Sequence, residues 1–155
     1  MIFEPGDIWD PKFTWRVIPT NKCARHSRAI MGKGLAAQAE SRSRGLSREY
    51  AIALRHDPTG FFVSCTNHII CLPTKYDPSD QYSDFTLIRR GLTFLAAFLK
   101  TIPGTDLVAV PKLGTGLGRL QWKDVCPLIK SYLKMFPNVI VLAKETVRYQ
   151  KENQS

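Results

Sequence analysis

The chain has 155 residues, with 22 Lys and Arg against 13 Asp and Glu, which gives a formal net charge of +9. That length suits one hydrophobic core, and 44% hydrophobic with 23% charged residues excludes a chain that is mainly disordered. No apolar run reaches the roughly 18 residues of a membrane-spanning helix, and residues 1–7 lack the basic-then-apolar pattern of a secretory signal. A cytoplasmic, monomeric protein without membrane contact is the expectation.

Residues 13–20 (FTWRVIPT), rich in aromatic and β-branched side chains, read as a strand. A polar, basic loop follows and ends in Met31-Gly32-Lys33-Gly34. Residues 35–42 and 46–54 read as helices interrupted by Gly45. Two strands come next, 61–65 and 68–72, the second closed by Pro73. From Asp84 the period becomes 3.6, and Ile88, Leu92, Leu95, Leu99 and Ile102 form one apolar stripe that Pro103-Gly104 ends. Residues 107–110 make a short apolar strand and 113–118 a glycine loop. Val125, Leu128, Tyr132, Leu133 and Phe136 mark a second amphipathic helix starting near Gln121, and 139–142 is apolar throughout, as in a buried strand. Alternating strands and helices predict an α/β sandwich around a largely parallel sheet. The expected domain spans 1–143, followed by a polar tail over 144–155.

Cys23, Cys65, Cys71 and Cys126 lie 42, 6 and 55 residues apart, which is no disulfide framework, so free thiols are expected. Cys65-x-x-His68-x-x-Cys71 offers three ligands at a spacing unsuited to zinc, within apolar sequence where buried thiols are common. No metal or cofactor is implied. Lys22, Arg25, Arg28, Lys33, Arg42, Arg44, Arg48 and Arg55 crowd one stretch, and such a cluster suits phosphates or nucleic acid as well as a solvated face.

Two glycine loops open into helices. Met31-Gly32-Lys33-Gly34-Leu35 leads directly into one, where unpaired N–H groups and the positive dipole end suit a phosphate. Leu113-Gly114-Thr115-Gly116-Leu117-Gly118 follows a strand, the place where α/β sheets bind ligands. Neither has the spacing of a P-loop or of a dinucleotide fingerprint.

Gly6-Asp7-Ile8, the Asn21 loop, Met31-Gly32-Lys33-Gly34-Leu35-Ala36, Leu72-Pro73-Thr74-Lys75 and the run from Val110 to Trp122 (VPKLGTGLGRLQW) occur in this order. In that combination the chain resembles the macro domains, in particular the DNA ADP-ribosyl glycohydrolase antitoxins and the terminal ADP-ribose protein glycohydrolases. The resemblance covers residues 1–143 and implies a three-layer α/β/α sandwich with a mixed, largely parallel central sheet. It implies that Asp7 accepts a hydrogen bond from the adenine amino group beside the Ile8 backbone. Asn21 would help hold the distal ribose. Met31, Gly32, Lys33, Gly34 and Leu35 would pack against that ribose and the diphosphate, with Thr74 nearby. Leu113, Gly114, Thr115, Gly116, Leu117 and Gly118 would wrap the diphosphate, and Lys75 would be catalytic.

Read as chemistry, Lys75 follows an apolar strand and stands either as a solvated loop lysine or as a group at a site mouth. There a neutral amine attacks an anomeric carbon or a charged one steadies a leaving group. Two departures from the family pattern stand out. Gly118 occupies the position where the protein-directed enzymes carry a catalytic aspartate, as it does in the DNA-directed branch. Residues 22–29 (KCARHSRA) are longer and more basic than the family's usual stretch, and His26 within them is a phosphate contact, an acid or a plain loop residue. The reading is an enzyme that hydrolyses the bond between ADP-ribose and a macromolecule, with a DNA base favoured over a protein side chain. The basic stretch from Lys22 to Arg55 would contact flanking nucleic acid. The alternatives are a module that binds ADP-ribose without turnover and an ADP-ribose-1″-phosphate phosphatase.

Overall fold

The computed structural model describes residues 1–146; the rest of the expected tail lies outside the described residues. In chain order the elements are β1 (Ile2–Phe3), β2 (Trp15–Asn21), β3 (Ala24–Arg25), β4 (Arg28–Ala29), α1 (Gly34–Arg42) and α2 (Leu46–His56). After them come β5 (Phe62–Ser64), β6 (Ile69–Lys75), α3 (Phe85–Leu99), β7 (Val108–Val110), α4 (Trp122–Leu133) and β8 (Val139–Val141). Six strands form one sheet in the order β1-β8-β7-β2-β6-β5, with every pairing parallel except β5 on β6.

Two-residue periodicity along the central strands builds a core on each face. Trp15, Val17, Ile70, Leu72, Val108, Val110, Val139 and Val141 turn to one side and pack with the apolar stripes of α3 and α4. Ile18, Ile69, Cys71, Ala109 and Ile140 turn to the other and meet Ala39 of α1 with Leu46 and Tyr50 of α2. The result is the expected three-layer sandwich. Asp84 starts α3 by accepting a hydrogen bond from the Leu87 N–H at 3.0 Å, the role its type favours at a helix N-cap.

Two expectations need correction, and β1 and residues 144–145 add features on which no expectation was stated. Pro73 does not close β6, which runs on to Lys75. Its β5 partner stops opposite Cys71, so Pro73 lies past the ladder on that side, where its missing N–H costs no bond. The basic loop after β2 is a hairpin: β3 and β4 pair antiparallel and His26, at φ 59°, turns the chain between them. His26 thus serves the turn, and its carbonyl accepts a weak bond from Arg55 at 3.5 Å. β1 has two residues, too few for any periodicity, and is set by its pairing with Ile140 and Val141. The start of the polar tail is docked, since the Lys144 carbonyl accepts the Trp122 indole N–H at 2.9 Å and Glu145 pairs with Lys130.

Cys71 lies in the α1–α2 core, whereas the His68 ring packs edge-on to Trp15 in the α3–α4 core, at 4.7 Å between centroids. The two project to opposite sides, and no group of metal ligands forms among the described residues.

α3 lies close against the sheet at Gly91, where an added Cβ would stand 2.5 Å from Leu72 Cγ. Gly91→Ala should therefore lower stability by about 1–3 kcal/mol through overpacking, despite the better helix propensity of alanine. Urea unfolding measures this, and a variant as stable as the parent would mean that α3 can retreat from the strand.

Candidate functional site

β2 and β7 pair only at Trp15–Val108 and Arg16–Ala109, while β2 continues beside β6 as far as Asn21 opposite Lys75. Beyond Arg16 the two strands part. A crevice between diverging neighbours at the carboxyl edge is where open α/β sheets take ligands, and the functional positions read from sequence gather along this edge. Asp7 follows β1, the 113–118 loop follows β7, Asn21 ends β2, and Lys75 ends β6. From β1 to β6 is four strand spacings, about 19 Å at roughly 4.8 Å each.

The loop after β7 is folded by its own backbone. The Leu120 N–H bonds the Gly114 carbonyl at 2.9 Å, and the Arg119 N–H bonds that of Gly116 at 3.1 Å. Gly114 sits at φ 74°, a conformation suited to glycine, with Ile88, Leu120 and Ser83 each 3.0 Å from where a Cβ would lie. Among the described residues the N–H groups of Gly116, Leu117 and Gly118 bond no protein acceptor, nor do those of Gly34, Leu35 and Ala36 in the first turn of α1. The two segments are neighbours: a Cβ on Gly34, at φ 57°, would stand 3.7 Å from Leu117 Cδ1. Free N–H groups at a helix N-terminus beside a glycine loop are what an anion cradle is made of, and the two loops are called the cradle below. Leu113 and Met31 are buried beneath the two loops, whereas Gly32, Lys33 and Leu117 are exposed. Thr115 turns its hydroxyl back to the Lys112 carbonyl at 2.9 Å.

Lys75 Nζ donates to the Leu117 carbonyl at 3.3 Å, so the lysine leans over the cradle. Thr74 is buried, and its carbonyl accepts the Asp84 N–H at 2.7 Å, which ties the end of β6 to the start of α3. Asn21 is largely committed: its amide donates to the Ile30 carbonyl at 3.0 Å and its oxygen accepts the Cys23 N–H at 2.9 Å. It pins the β3–β4 hairpin and keeps one amide hydrogen for other use. At the opposite end the exposed Asp7 accepts the Trp9 N–H at 2.8 Å, and the N–H of buried Ile8 bonds no acceptor among the described residues. The Ile8 carbonyl accepts Arg16 Nε at 2.6 Å. Burial, and next the charge of Arg42, push the Arg16 guanidinium below its ordinary value.

Gly118 has a physical reason that sequence did not reveal. A Cβ there would stand 2.0 Å from Ser83 Oγ and 2.5 Å from the Gly114 carbonyl. Ser83 is buried, with no partner for its hydroxyl among the described residues, and its N–H holds the Gly118 carbonyl at 2.9 Å. Trp9 was missed too: its indole N–H bonds Gln38 at 2.8 Å on α1, which fixes the segment behind Asp7. No local pattern announces Ser83; Trp9, two residues after the Gly-Asp motif, was readable as an anchor.

No family model matches the chain, and no curated protein does. Solved structures do match. The macrodomain of Mycobacterium tuberculosis DarG is 27% identical, with a TM-score of 0.76 over 94% of this chain and 99% of that one. The macrodomain of Thermus aquaticus DarG gives 23% identity and 0.76 over 94% and 97%. Thermosipho africanus DarTG, solved in complex with ADP-ribose, gives 24% identity and 0.73 over 88% of this chain, which spans 39% of that longer one. Strand order, layers and sequence likeness agree that this chain has the macro-domain fold and is similar to the DarG macrodomains.

Proposed function

We propose that the chain binds ADP-ribose along the carboxyl edge of its sheet and hydrolyses the bond joining it to a macromolecule, a DNA base before a protein side chain. The observation that carries this is the position of Lys75, bonded to Leu117 at the far end of the row that begins at Asp7. An extended ADP-ribose laid along that row puts adenine by Asp7 and Ile8, the diphosphate on the two sets of free N–H groups, and the distal ribose before Lys75. A ligand of that charge is what the cradle suits.

Cleavage of a glycosidic bond passes through an oxocarbenium-like state. The bond from the distal anomeric carbon to the base breaks, water adds a hydroxyl to that carbon, and its other proton goes to the departing group. In this reading Lys75, as a donor, steadies that group. Gly118 leaves no carboxylate in the loop, which supports the DNA-directed reading. It also supports a second one, a module that holds ADP-ribose without turnover.

On single-stranded DNA carrying ADP-ribose on a base, the protein should release ADP-ribose, and Lys75→Ala should slow release by about 100-fold or more while binding free ADP-ribose within about threefold of the parent. Full activity in that variant would remove Lys75 from the reaction, and binding without release by the parent would select the second reading. Gly118→Asp should restore no carboxylate catalysis and should cost about 2 kcal/mol or more in thermal unfolding, because Ser83 and the Gly114 carbonyl fill the space. A stable, faster variant would contradict this.

A further inference from the structure

A second concave feature lies away from the cradle, between the β3–β4 hairpin, the end of α1 and the start of α2. It is a cleft of about 530 Å³ whose lining includes Arg28, Arg42, Arg44 and Arg48, all exposed. Its acid, Glu40, is already engaged, accepting the Ser47 N–H at 2.7 Å and the Ser47 hydroxyl at 2.9 Å. The ion pairs among the described residues are Lys12–Glu4 and Lys130–Glu145, so none of the four arginines has an acidic partner. Arg42 is braced over the Trp9 ring, 4.8 Å from its centroid. Among the described residues the other three guanidinium groups, of Arg28, Arg44 and Arg48, have no ion-pair partner, and arginine is the cation suited to bidentate phosphate contact.

The cleft is joined to the catalytic end of the cradle by further cations. Arg55 stands two helical turns, about 10 Å, along α2 from Arg48 and donates to the hairpin at His26. At the base of that hairpin the Lys22 N–H bonds the Tyr76 carbonyl at 3.3 Å, and Lys22 Nζ lies 5.4 Å from the Tyr76 ring centroid. Tyr76, half exposed, follows Lys75 directly. Cations with one aromatic face thus lie between Lys75 and the arginine cleft, with Asp77, held against Cys23 at 3.6 Å, the acid beside the hairpin base. Their extent and repeated charge fit a chain of phosphates better than a single ion, and a stacking ring beside them fits a base.

We propose that the cleft of Arg28, Arg42, Arg44 and Arg48 binds the sugar-phosphate backbone of a single-stranded nucleic acid whose continuation passes Lys22 and Tyr76 to Lys75. The inference rests on the nucleic-acid reading above for the strand's purpose, but an unmodified strand tests it without any hydrolysis.

The experiment is fluorescence anisotropy with a labelled, unmodified 20-nucleotide single strand between 50 and 200 mM salt, with ADP-ribose titrated calorimetrically in parallel. The paired change Arg44→Glu with Arg48→Glu should weaken strand binding at least tenfold and flatten the salt slope by about 1.4, the value for two lost phosphate contacts. ADP-ribose affinity should stay unchanged, which also reports that the variant is folded. The charge-matched pair Arg89→Glu with Arg90→Glu, exposed on α3, should lose less than threefold. Equal losses from both pairs, no binding by the parent, or displacement of the strand by polyglutamate or inorganic phosphate at matched charge would each overturn the proposal. If the parent failed to bind ADP-ribose while the strand still bound through the cleft, the function reading would fall and this one would stand.

Discussion

β7 holds β2 through Trp15 with Val108 and Arg16 with Ala109, and then leaves it. Everything proposed for the site depends on that short pairing. Had β7 continued beside β2 to Asn21, the sheet edge would be closed. The loop after β7 would then have no gap in which to face α1. Instead β2 runs on with β6 alone, and the open flank is bordered by Gly34 on one side and Leu117 on the other. The opening is maintained by two cores that grip the strands below it, one with α3 and α4 and one with α1 and α2.

Rigid backing is what lets backbone groups act as ligands. The glycine loop is closed by its own hydrogen bonds and seated on Ser83, so its free N–H groups keep their direction without side chains to hold them. The same closeness sets a limit on chemistry. With Ser83 Oγ lying where a Cβ at position 118 would go, the loop excludes a carboxylate there, which leaves the proposed reaction to Lys75 and to water. Charge follows a similar division. In the proposed reading the cradle takes anions mainly through backbone dipoles, whereas the side-chain cations of the second cleft stand on the hairpin, on α1 and α2 and between those helices.

The layered fold was legible because its elements carry distinct signals. The stripe from Ile88 to Leu99 repeats with the helical period, and the strands from Val108 and Val139 stand out as short runs apolar at every position. The two glycine loops were legible as strand-to-helix junctions, and their order with Asp7, Asn21 and Lys75 pointed to one edge. What sequence could not carry was tertiary. The clash of Ser83 with any side chain at 118 joins residues 35 positions apart, and the commitment of Asn21 to Ile30 and Cys23 depends on a hairpin that reads as a loop. Pro73 misled for a related reason: proline stops a strand only where its N–H would be needed, and β5 ends before that point. The basic stretch from Lys22 to Arg55 was legible as a charge cluster, but not that Arg28 of β4 shares one cleft with Arg42, Arg44 and Arg48.

The central claim is that the carboxyl edge from Asp7 to Lys75 is an ADP-ribose site, and calorimetric titration of ADP-ribose into the parent and into Asp7→Ala tests it most directly. The account predicts one site per chain and a loss of at least tenfold in the variant, about 1.4 kcal/mol, from removing the acceptor at the adenine end. Absence of binding by the parent, or equal affinity in the two proteins, would contradict it.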